Sequence, residues 1–377
     1  MARASFRTQL RHWIAALLAM LGWGWAAAQA PSLPPLFPIR NGDLQGLIDA
    51  SGRVVLAPEF DEIKLGEPLL MVRKAARTAY FDANGRMVVQ PQDAWTQPFS
   101  EGLVPAPAKS DKGQWRWGYA DPSGAMVIAP QYESAGPFVG GLAVVAVADN
   151  WGAIKYGAID RSGKLVLPAV HDKLLAPAAG LVRSESKERT HRVFDLRGRD
   201  ITPDKIDFVG IPSDGMVRVW SGRVQGFMTL AGDLRVAPKF EQVSDFKEGR
   251  ARVWIAGKYG FIDNQGKQVV PAIYDVAEDF SDGLALVRQD GKSMFIDQQG
   301  KVTLQPQGDR VWSFSGGLAV VKVGNKHGYL DKRGQMVIEP QFSFARPFFN
   351  GLAYVGMGRE SGYIKPDGRF VWKSGGG

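Results

Sequence analysis

The chain has 377 residues and not one cysteine. That absence removes disulfide staples, thiolate nucleophiles, sulfur metal ligands and a lipid-bearing cysteine from consideration. It also fits an oxidising compartment. Histidine is nearly as scarce. Apart from His12 there are His171, His191 and His327, which share no repeat position. No Gly-x-Ser-x-Gly elbow occurs, and no acid–base pair stands out. The expectation is therefore a protein without catalytic residues, metal or cofactor. Long apolar runs are lacking as well. The single candidate, residues 13–25, is short of the ~20 residues a spanning helix needs. It follows Arg3, Arg7 and Arg11 and precedes Ala26-Ala27-Ala28. This is the layout of a secretory signal cleaved after residue 28, which implies a periplasmic or secreted protein with no membrane span after cleavage. The formal charge of +8 falls to +5 once those three arginines are removed. So mild a balance excludes the dense basic face of a nucleic-acid binder.

Glycine and proline are abundant, at 45 and 23 residues, and they fall at fixed offsets. The glycine closing each Asp-x-x-Gly turn recurs at Gly52, Gly85, Gly124, Gly163, Gly198, Gly232, Gly266, Gly300, Gly334 and Gly368. Most steps are 34 residues, with two of 39. A fixed period of this size means stacked supersecondary units. Repetition multiplies a surface rather than assembling a unique site, so it points toward binding.

Residues 283–306 show the unit most clearly. Gly283 to Val287 predicts a first strand, and Asp290-Gly291 a two-residue hairpin. Met294 to Asp297 predicts a second strand. Asp297 to Gly300 is a turn in which Asp accepts backbone hydrogen bonds and Gly takes the left-handed conformation. Val302 to Leu304 is a third strand, stopped by Pro306. About ten connector residues carry a Phe at a fixed offset: Phe99, Phe138, Phe246, Phe280, Phe314 and Phe348. That Phe is expected to plug the gap between neighbouring units. Residues 29–44 read as a proline-rich linker and 373–377 as a tail.

The second strand carries a recognisable signature: Trp117-Gly118-Tyr119, Tyr259-Gly260-Phe261-Ile262-Asp263, His327-Gly328-Tyr329-Leu330-Asp331 and Gly362-Tyr363-Ile364. With Gly-Leu-Ala before it and Val-Ile-x-Pro after it, the chain resembles the bacterial WG-repeat family over residues 45–372. Tryptophan is in register only at Trp117. Gly is replaced at Ala79, Arg192 and Met294, and the turn Asp at Thr229 and Lys365. The resemblance implies an all-β repeat protein, often extracytoplasmic, with a binding or scaffolding role. It supplies no catalytic residues.

The expected fold is thus all-β: about ten three-stranded antiparallel units in an open, curved solenoid. A closed, propeller-like toroid is the alternative, since ten blades exceed the usual four to eight. The repeated Asp could suggest a calcium ladder, but one carboxylate per turn is too few and turn capping accounts for it. Basic residues follow the turn at Arg53, Arg86, Lys164, Arg199, Lys267, Lys301 and Arg369, where they solvate it. The first strand is more informative. Its outward positions hold Arg183, Arg218 and Arg252, then Trp220, Trp254, Arg288 and Lys322. Such an aromatic-cationic stripe suits a protein partner or, alternatively, a cell-wall glycan or polysaccharide. The two longer units place their extra residues in the first hairpin, around Trp115 and Trp151, on what would be one binding face.

Overall fold

The computed structural model describes residues 33–92, 95–186 and 191–374; the expected signal segment lies outside the described residues, as do the last three of the tail. Within them every regular element is a strand, apart from turns. The strands form ten antiparallel sheets in chain order, here blades 1 to 10: residues 36–60, 62–92, 104–132, 134–171, 174–195, 208–240, 242–274, 276–304, 310–342 and 344–373.

Blade 8 shows how local sequence makes a blade. Its strands are Val276–Ala277, Ala285–Gln289, Lys292–Ile296 and Val302–Leu304. Asp290 and Gly291 both have positive φ, as the tight hairpin requires. Asp297 Oδ1 accepts the N–H groups of Gln299 and Lys301 at 3.0 and 2.9 Å, which closes the next turn. The second-strand glycine has its own reason. At Gly328 of blade 9 a Cβ would lie 2.4 Å from the Ile338 carbonyl oxygen, so the approach of that third strand leaves no room for a side chain.

Seven blades have a fourth strand, not the expected three in all, because the connector pairs with the first strand. Ala277, for instance, faces Val287 across that edge. Blade 3 lacks it for a chemical reason. The equivalent edge carries Pro105 and Pro107, which have no N–H to donate. Blade 1 also lacks it. Its first strand, Leu36–Asn41, falls inside the stretch read as linker and pairs in full with Leu44–Asp49. In blade 5 the third strand is reduced to the bridge between Phe194 and Asp200.

The open solenoid gives way to the closed ring. The core divides into ten clusters, each built from two adjacent blades. An open row of ten blades has nine interfaces. The tenth joins Leu352 and Tyr363 of blade 10 to Phe37, Ile39 and Ile48 of blade 1. Tyr363 Oη donates to the Pro38 carbonyl at 2.8 Å, and its ring meets Phe37 edge-on at 5.5 Å. The blades therefore form a ten-bladed β-propeller. Both faces of each sheet are covered by neighbours, whereas the sequence reading left one face to solvent.

The connector Phe does plug these interfaces. Phe246, Phe280 and Phe314 pack against Phe227, Phe261 and Phe295 of the preceding blade at 4.6, 4.9 and 4.7 Å. A second device, not anticipated, sits just beyond it. Asp214, Glu248 and Asp282 adopt φ near +50° and accept the N–H of Gly249, Gly283 and Gly317 in the next blade.

Candidate functional site

The first-strand arginines of blades 5, 6 and 7 are held before they meet any ligand. Arg183 donates to the Val209 carbonyl at 3.1 Å and Arg218 to Val243 at 2.8 Å, while Arg252 donates to Ala277. Each guanidinium thus stitches its blade to the connector of the next. Burial pulls Arg183 below its ordinary pKa. Arg218 and Arg252 also form ion pairs with Asp245 and Asp279, at 3.1 and 3.0 Å. Neither contact is aligned as a hydrogen bond. Arg218 Nε, Arg252 Nε and Asp279 Oδ1 are buried without a hydrogen-bond partner.

Aromatic rings flank this row. Arg218 stacks over Trp220 at 4.8 Å, and Trp220 meets Phe208 edge-on at 4.9 Å. Trp254 meets Tyr259 at 4.5 Å, with Arg252 5.7 Å from the Tyr259 ring. In blade 9 Arg310 stacks over Trp312 at 4.8 Å.

Three clefts open along this row. The first, about 350 Å³, lies between Arg218, Asp245, Lys247, Arg252, Trp254 and Asp279. The second, about 530 Å³, shares Lys247, Arg252 and Asp279 with it and adds Glu278 and Ser313. The third, about 400 Å³, shares Glu278 and adds Arg288, Asp309 and Arg310. Shared walls make them one groove across blades 6 to 9. Acidic and basic groups alternate along it.

Of the residues expected from sequence, the structure brings Arg218, Arg252, Trp254 and Arg288 to this groove, with Trp220 beneath Arg218. Lys322 pairs across its strand with the cleft residue Arg310. Arg183 lies outside the three clefts, in blade 5. Trp115 and Trp151 sit apart on the long hairpins of blades 3 and 4, where Trp151 is 93% exposed. The sequence reading missed the acidic half, Asp245 and Asp279, and the cation Lys247. The signal was there: both Asp follow their Arg partner by 27 residues. The turn carboxylates serve as caps, and the described residues hold no group of three or more His, Asp or Glu able to bind a metal ion.

No curated protein matches the chain. Among solved structures, one described as the eukaryotic initiation factor is 12% identical with a TM-score of 0.47, covering 90% of this chain and 95% of its own. Hsv2 from Kluyveromyces lactis is 11% identical with a TM-score of 0.32, covering 60% of this chain and 90% of its own. Likenesses this remote carry nothing about function. The family model described as the WG containing repeat matches residues 46–74, 117–151, 226–259, 259–292, 294–326 and 328–358, more than half of the chain. With the Asp-turn, the second-strand glycine and the blade geometry already in place, the chain belongs to the WG-repeat family.

Proposed function

We propose that this propeller is a non-catalytic binding or scaffold protein of the cell envelope or secreted space, engaging a protein partner through the blade 6–9 groove. The observation that carries this is the groove itself. Three joined clefts present Trp254 and Tyr259 beside Arg218, Arg252, Arg288 and Arg310, the residue types enriched among protein-interface hot spots. Export is the reading of residues 1–28 and of the missing thiols.

Affinity capture from an envelope extract tests the proposal. A stoichiometric protein partner is expected, with capture lost in Trp254→Ala and retained in Arg86→Ala. Equal capture by both variants removes the groove from the account. The exposed Trp115 and Trp151 favour a second reading, a cell-wall glycan packed by its apolar C–H face on those rings. Co-sedimentation with peptidoglycan that disappears in Trp151→Ala supports it; absence of sedimentation at low salt excludes it.

A further inference from the structure

We infer that the groove takes its partner as a single extended polypeptide segment of mixed charge, laid across blades 6 to 9. This rests on the binding function proposed above and narrows it to a class of ligand.

The lining decides the class. An acidic polysaccharide would meet Asp245, Asp279, Glu278 and Asp309 along the whole path. A neutral one has no charge to set against Lys247, Arg288 or Arg310. A polypeptide carries both signs in one chain and can place each opposite its complement. The ion pairs agree. The first cleft holds Arg218 with Asp245 at 3.1 Å and Arg252 with Asp279 at 3.0 Å, so charges of both signs stand side by side on its wall.

The shape decides the conformation. The clefts are open to solvent and adjoin one another, sharing walls at Arg252, Asp279 and Glu278. A folded domain would touch the rims of such a trough, whereas an extended chain follows its floor. Lys247 stands where the first two clefts meet. It is exposed, and no ion pair to a described acidic group occupies it. The structure assigns it an acidic residue of the ligand, beside an aromatic or aliphatic residue against Trp254.

The experiment selects a displayed library of random 12-residue peptides against the full chain. Enriched peptides should carry acidic, basic and aromatic residues together. Their binding should weaken about tenfold or more in Lys247→Glu and in Arg288→Glu, and stay unchanged in Arg86→Ala. Lys247 and Arg288 are exposed and hold no blade to its neighbour, so their replacement leaves the ring intact; an unaltered melting temperature verifies this. No enrichment, or binding indifferent to both charge reversals, overturns the inference. If the captured partner binds as a folded domain regardless of Lys247 and Arg288, the scaffold function stands and the extended-segment inference fails. If selected peptides bind as described while the envelope extract yields nothing, the reverse holds.

Discussion

At the residue scale the turn aspartate does the most repeated work. Asp49 and Asp160 are held below the usual carboxylate pKa, first by the hydroxyls of Ser51 and Ser162, with burial opposing and backbone N–H groups assisting. A depressed folded-state value makes the contribution complete above the unfolded value of about 4, and lost as pH falls through the folded values. The melting temperature should therefore hold from neutral pH to about pH 5 and fall steeply below about pH 4. A flat profile down to pH 2 would contradict this. Asp195→Ala removes the acceptor for Arg197 and Arg199 N–H, both at 2.9 Å, and should cost about 1 kcal/mol in a denaturant titration. Thr229 already fills the role in blade 6, accepting the N–H of Ala231 and Asp233, so Asp195→Thr should cost less. These turns were legible in sequence because Asp, the positive-φ glycine and their spacing are local chemistry. The pairing of Arg218 with Asp245 was not, since its atoms come from two blades.

At the element scale the blade edge is the deciding feature. The three-strand pattern was readable from alternation and turn signals. The fourth strand was not, because Val276–Ala277 has only two residues and no pattern of its own. It forms because the first strand of blade 8 offers an unpaired edge. The carboxylate latch belongs here too. Asp282 bonds the Gly317 N–H at 2.6 Å while holding a φ of +54°. Asp282→Ala loses the bond and keeps the strain, and should cost about 1–3 kcal/mol. Asp282→Gly loses the same bond but relieves the strain, so it should be the milder variant by about 0.5–1 kcal/mol. Paired denaturation midpoints measure the order, and a milder alanine variant would refute this account of the latch. Arg218→Lys should also destabilise, since an ammonium cannot reach Val243 and Asp245 together in the manner of a planar guanidinium.

At the scale of the whole molecule the ring closes without strand exchange. Blade 1 is built from the start of the described chain alone and blade 10 from its end. The seam depends on side-chain packing, the Tyr363 hydroxyl and one tight approach. At Gly52 a Cβ would lie 2.1 Å from the Val371 carbonyl oxygen. Burial pushes the Tyr363 phenol up to about 12, so the hydroxyl stays a donor across the physiological range. Phe37 is buried against this seam, and Phe37→Ala should cost about 3–5 kcal/mol. Limited proteolysis should then cut first near residues 33–41, and scattering should report a larger radius; an unchanged cleavage pattern would show that the seam is not the weak interface. Sequence by itself determined the all-β class, the ten units, their turns and the rows of residues that repeat, because each rests on contacts within about 34 positions. Only the tertiary structure decided between open array and closed ring. That choice depends on the small rotation from blade to blade, summed ten times, and on whether Phe37 finds Tyr363. The groove shares this origin: its walls lie one blade apart in space, so the 27-residue step from Arg218 to Asp245 and from Arg252 to Asp279 took on meaning only when neighbouring blades stood side by side.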